Sequence, residues 1–357
     1  MKPLGIEHRR YGKLRAAALV TAVVAMVTTF SVAPAGAVGE GGWSNGGGSA
    51  RSDEAAAVVN DLGGEYTAAI GNDNRIWWSF NGGLFQPVSQ GHQVNFAPAM
   101  ISWQGRITLF HTGIDRQIYY SFLQDRSSNS WTPWQRVPGD AGLAGSPTVV
   151  TSGNTAYISG VRVGGELTEQ RMTAQSGGFT FGSGYRNDPS ARVRITPIVL
   201  NLGLGEAVNV PENAGEAIGV QTFVVGQDAQ VWRSRRPLGS FTGSWSQVPG
   251  MAECESSVAA GRGGPSQIVG PGDPNYQDQQ HVALACIGRD LNVWVNQSTD
   301  GGDTFHGWRR TTGGPAPSNA TPSLSSAGSS ITLSIAWDGN RDPRFPNNAI
   351  VEKQLYR

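Results

Sequence analysis

Four segments of this 357-residue chain share the pattern Gly-x-Asp-x-x-(Ile/Val)-(Trp/Tyr). They are Gly71-Asn-Asp73-Asn-Arg-Ile76-Trp77, Gly113-Ile-Asp115-Arg-Gln-Ile118-Tyr119, Gly226-Gln-Asp228-Ala-Gln-Val231-Trp232 and Gly288-Arg-Asp290-Leu-Asn-Val293-Trp294. The residue after each closing aromatic varies: Trp78, Tyr120, Arg233 and Val295. Successive side chains of a strand point to opposite faces. The repeated aromatics Trp77, Tyr119, Trp232 and Trp294 are therefore expected to pack between repeats, and the varying residues to stand exposed. Exposed rings stack on the apolar faces of sugars, and a guanidinium fork grips hydroxyls or carboxylates. Trp78, Tyr120 and Arg233 are accordingly the candidate ligand-binding residues.

Signatures of catalysis are missing from the sequence. There is no Gly-x-Ser-x-Gly turn, no His-Glu-x-x-His pair and no phosphate-binding Gly-rich loop ending in Lys-Ser/Thr. His92, His111, His281 and His306 are scattered over the repeats and read as structural residues. No cofactor and no metal site is implied. Glycoside hydrolysis by two carboxylates stays open, because spacing along a chain of repeats says little about separation in space.

Positioning these residues requires a particular set of elements. Each signature follows an apolar or alternating run (66–70, 107–110, 221–225, 282–287) and leads into a second one, which makes the Gly-x-Asp segment the turn of a β-hairpin. Asp caps nearby amides in such a turn, and Gly accepts a positive φ. A Gly-rich gap and an aromatic-led strand come next, at Phe85, Trp131, Trp245 and Trp308, and then a small apolar strand begins near 55, 98, 147, 197, 257 and 322. Four strands per unit at this spacing predict an all-β propeller of about six blades. Two units are degenerate: one carries Gly164-Gly165-Glu166-Leu167 at its turn, and the last replaces its turn with an insertion around Pro343 and Pro346. The last unit also lacks an outer strand, while Gly42-Trp43-Ser44 offers an isolated one, so the N-terminal strand is expected to close the ring and remove a free sheet edge. A sandwich or an open solenoid is the alternative arrangement.

Residues 1–37 have the three parts of a secretory signal: basic residues from Lys2 to Arg15, an apolar run from Ala16, and Ala35-Gly36-Ala37 as a cleavage site. Residues 38–357 are read as one secreted, extracellular propeller domain. This portion holds 22 basic and 26 acidic residues, a balance that argues against a nucleic-acid partner, and no further run is long and apolar enough for membrane insertion. Cys254 and Cys286 are the only cysteines. They lie in neighbouring strands of one repeat of an exported chain, so they are expected to form a structural disulfide.

The segment Ser298-Thr-Asp300-Gly-Gly302-Asp-Thr304-Phe305 resembles the Asp box of a propeller superfamily that includes bacterial sialidases and many non-catalytic relatives. The resemblance implies a structural turn for Ser298, Asp300, Gly302 and Phe305, away from the axis where substrates bind. Catalytic members carry Phe/Tyr-Arg-Ile-Pro ahead of the first blade. Nothing here matches it, and Arg75-Ile76 lacks the proline, so no catalytic residue is carried over. The Gly-x-Asp hairpin and Trp-led outer strand also look like those of repeat lectin propellers. Together these features imply non-catalytic, lectin-like binding of a glycan or glycoconjugate, alone or with another secreted protein. An Asp-box-type glycosidase with an axial site is the alternative, and a protein-binding scaffold is a third.

Overall fold

The computed structural model describes residues 44–47, 57–61, 63–88, 91–176, 178–188, 207–211, 219–237, 240, 243–250, 253–256, 258–263, 281–311, 322–327, 330–336 and 350–356. The secretory signal at 1–37, Trp43, the small strand expected at 197–200 and the insertion around Pro343 and Pro346 lie outside them.

Among the described residues the chain forms six antiparallel sheets. A short strand, β1 (Ser44–Gly47), precedes the first complete blade. Blade I is β2 (Ala57–Asp61), β3 (Gly64–Ile70), β4 (Ile76–Phe80) and β5 (Gln86–Pro87). Blade II is β6 (Ala99–Trp103), β7 (Arg106–Thr112) and β8 (Ile118–Asp125), with two outer pieces on β8, β9 (Ser130–Trp131) and β10 (Gln135–Arg136). Blade III repeats that plan with β11 (Thr148–Ser152), β12 (Thr155–Val161) and β13 (Leu167–Gln175), and with β14 (Gly178–Phe181) and β15 (Arg186–Asp188) both on β13. Blade IV is β16 (Ala207–Pro211), β17 (Gly219–Val225), β18 (Val231–Pro237) and β19 (Trp245–Gln247). Blade V is β20 (Ala259–Gly263), β21 (His281–Ile287), β22 (Val293–Ser298) and β23 (Arg309–Arg310). Blade VI is β24 (Pro322–Ala327), β25 (Ser330–Ala336) and β26 (Ile350–Tyr356), completed by β1.

The innermost strands β2, β6, β11, β16, β20 and β24 adjoin in that order, and β24 returns to β2. The result is a closed six-bladed propeller, as the repeat predicts. In blade IV the described inner strand is β16, about ten residues after the start expected near 197.

Closure is made where the sequence places it. β1 pairs antiparallel with β26, with Ser44 opposite Glu352 and Asn45 opposite Val351. The disulfide also forms, Cys254 to Cys286, with a Cα–Cα distance of 5.8 Å. Both cysteines are fully buried in the apolar layer between blades IV and V, among Phe223, Val231, Val258, Leu284 and Phe305.

Because β1 covers the outer edge of blade VI, removing residues 38–50 should expose the β26 backbone to solvent. Amide exchange across residues 350–356 is expected to accelerate about tenfold or more, while exchange in blade III stays unchanged. Unaltered protection of β26 would show that β1 does not hold the ring shut.

Candidate functional site

Each signature hairpin is a clamp around its own aromatic residue. The Asp carboxylate accepts a hydrogen bond from the ring polar atom four residues on: Asp73 from Trp77 Nε1 at 3.0 Å, Asp115 from Tyr119 OH at 2.9 Å, Asp228 from Trp232 Nε1 at 3.1 Å and Asp290 from Trp294 Nε1 at 3.0 Å. The same carboxylates accept from the amides of Arg75, Gln117, Gln230 and Asn292. The ring lies against the signature Gly so closely that a Cβ at Gly71 or Gly226 would stand 2.7 Å from the indole Cδ1. Close approach of an aromatic ring is thus what the glycine provides. The left-handed position of the turn falls instead on Asn74, Arg116, Ala229 and Leu291, with φ between 59° and 63°. Outside Gly and Asn this conformation costs roughly 1 kcal/mol, which the Asp bonds offset. Blade III has no Asp at its turn, and there the left-handed residue is Gly165.

The clamp decides which way the next residue points, and it reverses the expectation of exposure. Trp78 and Tyr120 are each only 4% exposed and sit in the core between blades. Trp78 donates from Nε1 to Asn129 Oδ1 at 2.6 Å and meets Trp131 edge-on. Tyr120 OH donates to Gln135 Oε1 at 2.6 Å, and its ring packs on Phe179 and Phe181. Arg233 is half-buried, donates from Nη1 to Gly302 O and lies over Phe305. The clamped aromatics Trp77, Tyr119, Trp232 and Trp294 are the more accessible series, each half-buried. The reason is that the clamp needs the ring's polar edge at the mouth of the hairpin, which turns the following side chain into the junction with the next blade.

Blade III carries a member of this series that the degenerate turn hides. The hairpin bond Arg162 N to Glu166 O is equivalent to Gly113 N to Gln117 O, which puts Glu169 where blade II has Tyr120. Glu169 is 4% exposed. Its Oε2 accepts from Ser159 Oγ at 3.0 Å and pairs with Arg236 Nη2 of blade IV at 2.8 Å. Arg236 is equally buried and also donates to Ser240 O.

Glu169 lines a cleft of about 180 Å³ together with Tyr157, Gln170, Arg171, Gly182, Ser183, Gly184 and Arg186. The cleft follows from how the outer edge of blade III is covered. β14 pairs with β13 from Met172 to Gln175, and β15 pairs with it from Leu167 to Glu169, so the loop joining them arches over Gln170 and Arg171. Gln170 is held by donating to Pro138 O and accepting from Arg171 N. A Cβ at Gly182 would press within 2.9 Å of its Oε1, which keeps the wall smooth there. A buried carboxylate, a tyrosine ring and two exposed guanidinium groups thus meet at one small opening. Sequence reasoning missed it because the Gly-x-Asp signature is absent from this blade.

A polar aromatic cluster occupies the junction of blades I and II. His92 Nδ1 and His111 Nε2 are 3.0 Å apart, Tyr119 stacks on His111, and Trp134 meets His111 edge-on. The two histidines are thus brought together although they belong to different repeats. His111 is wholly buried, and burial, reinforced by its neighbour His92, pulls its pKa down to about 3. Burial lowers that of His92 as well.

At blade V, Ser298 to Phe305 forms a turn bonded to itself. Ser298 Oγ donates to Asp300 Oδ1 at 2.7 Å and accepts from Gly302 N at 2.8 Å, while Thr304 N donates to Asp300. Burial pushes the Asp300 carboxyl up, but these donors prevail and hold its pKa at about 2. Phe305 fills the layer between blades IV and V against Phe223.

No protein-family model matches the chain. A stretch of 48 residues is 46% identical to the large ribosomal subunit protein uL5 of Herpetosiphon aurantiacus, covering 13% of this chain and 27% of that protein. The chain therefore spans about a quarter of the curated relative that it matches, and no family follows. Solved structures match over most of its length. The lectin of Aleuria aurantia, described as a six-bladed β-propeller with a novel fucose recognition mode, superposes with a TM-score of 0.53 at 10% identity, over 85% of this chain and 93% of that one. SapL1 lectin in complex with α-methyl fucoside gives 0.54 at 12% identity, over 82% and 95%. AofleA of Arthrobotrys oligospora gives 0.57 at 8%, over 89% and 88%.

The fold is that of the six-bladed propeller lectins. At these identities the likeness is one of fold, and within the propeller the cleft of blade III is the candidate site.

Because the folded-state pKa of His111 lies near 3, against an ordinary value of 6.5, unfolding takes up a proton as pH falls below about 6.5. The propeller should therefore lose stability from pH 6.5 down toward 3. Between pH 7 and 4.5 the loss from this group is about 2–3 kcal/mol. Urea unfolding across this range should show the drop, and His111→Gln should flatten it. An identical pH slope in the variant would assign the acid sensitivity elsewhere.

Proposed function

We propose that this protein is a secreted, non-catalytic lectin that binds glycans through the cleft of blade III. The observation that carries the reading is the meeting of Tyr157, Glu169, Arg171 and Arg186 around about 180 Å³, a space suited to one sugar residue. A ring face for stacking, a carboxylate acceptor and guanidinium donors are the groups that a polyhydroxylated ligand needs. The matched solved structures add support, since SapL1 lectin is described in complex with a fucoside and the Aleuria aurantia lectin by its fucose recognition. Export fits the secretory signal in the sequence and the buried disulfide.

Recognition is favoured over hydrolysis by the carboxylate count. Glycosidases that act through two carboxyl groups hold them about 5–10 Å apart. Among the described residues that line the cleft, Glu169 is the sole carboxylate, and it is tied to Arg236.

Glycan-array binding by the purified protein, followed by calorimetry with the best ligand, tests the reading. Tyr157→Ala and Arg171→Ala should each weaken binding about tenfold or more while stability stays within about 1 kcal/mol, because the Arg171 side chain is exposed and that of Tyr157 partly so. Tyr120→Ala should instead cost roughly 3–5 kcal/mol of stability, as loss of a core aromatic does. Undiminished binding in both cleft variants would place the site elsewhere on the ring.

A further inference from the structure

We infer that Arg236 of blade IV is the positioning residue of the blade III cleft: it holds Glu169 with Oε1 turned to the ligand, so that two blades build one site. The inference rests on the lectin reading above and adds the residue that sets its acceptor.

The other junctions show what the fold itself asks for at this place. The residue after the clamped aromatic of one blade packs with the residue four after the clamped aromatic of the next: Trp78 with Leu123, and Tyr120 with Met172, each pair within one apolar layer. Between blades III and IV the corresponding residues are Glu169 and Arg236, and they form an ion pair at 2.8 Å with side chains 4% and 1% exposed. An apolar pair of similar volume serves stability as well as a buried ion pair, or better. Packing therefore does not account for the two charges. What the pair adds is a carboxylate at the deep end of a cleft, where burial penalises a charge that has no partner.

The bonds leave one carboxylate oxygen open. The Arg236 fork is divided, with Nη2 donating to Glu169 Oε2 at 2.8 Å and Nη1 to Ser240 O at 2.9 Å. Ser159 Oγ also donates to Oε2, at 3.0 Å. A carboxylate oxygen accepts about two hydrogen bonds, so Oε2 is filled while Oε1 accepts from no described residue. Glu169 lines the cleft and Arg236 does not. The ligand thus meets the carboxylate, a hydroxyl of the sugar donates to Oε1, and Arg236 acts through Glu169. Among the described residues, the titratable and charged side chains on the face of Glu169 are Tyr157 of β12, Arg171 of β13, Arg186 and Asp188 of β15, and Arg236 of β18. Of these, Arg236 bonds the carboxylate.

Three variants separate positioning from support of the fold. Calorimetry with the methyl glycosides of galactose, glucose, mannose and fucose identifies the probe that the unaltered protein binds best, and each variant is titrated with it. Arg236→Met should bind at least about tenfold more weakly, and Arg236→Lys, which keeps a cation behind the carboxylate, should recover most of that loss. Without its cation a buried carboxyl group favours the protonated form, so the loss in Arg236→Met should widen as pH falls from about 8 to about 5.5. E169L/R236M, which copies the apolar pairs of the other junctions, should unfold at the parental temperature or above and still bind at least about tenfold more weakly. Parental affinity in Arg236→Met or in E169L/R236M would overturn the inference and leave the lectin reading standing. Binding by Arg236→Lys no better than by Arg236→Met, or a loss in Arg236→Met that is equal at both pH values, would make Arg236 a strut of the fold and overturn it too. Should Arg236→Met fail to fold, E169L/R236M decides by the same criterion. An unaltered protein that binds no glycoside, here or on the glycan array, would overturn both readings.

Discussion

The bond from an aspartate carboxylate to the aromatic ring four residues later is the contact on which the rest of this propeller depends. It closes the hairpin, satisfies the one polar atom of a large half-buried ring and sets the rotation of the third strand in four of the six blades. Once that ring is placed, alternation along the strand drives the next side chain into the junction with the following blade. A single local clamp thereby organises both the edge of a blade and its packing on a neighbour.

The junction position is where the blades differ. Trp78 and Tyr120 fill it with apolar mass and a single hydrogen bond. Arg233 spans it as a strut to the blade V turn, joined there by Gln221 and Arg235. Glu169 replaces packing with an ion pair whose two side chains are 4% and 1% exposed. Buried pairs of this kind give little net stability, because desolvation consumes most of the attraction. In a blade that also forms a polar cleft, the pair fixes the Glu169 carboxylate in place, with Arg236 holding it from behind.

Two other junctions show how the ring tolerates such a departure. Blades IV and V are joined by an apolar layer that includes the disulfide and Phe305, and the self-bonded turn from Ser298 to Thr304 holds Phe305 in that layer. Blades I and II enclose a histidine pair under aromatic rings. Closure by β1 then lets each junction be shared by two blades without leaving an open edge.

The four-stranded repeat, the blade count, ring closure by an N-terminal strand and the Cys254–Cys286 bridge were all legible in the sequence. Each rests on local turn chemistry or on spacing, which a linear reading preserves. Which of two adjacent aromatics faces solvent was not legible, because strand alternation reports opposition and not direction. Direction was set by the Asp-to-ring bond, a contact across the turn, and it sent Trp78 and Tyr120 inward. The cleft was hidden for a related reason. Glu169 and Arg236 are 67 residues apart, and blade III lacks the signature that marks the equivalent position elsewhere. Only the closing of one blade against the next brought that carboxylate to its partner and left Arg171 and Arg186 at an open rim.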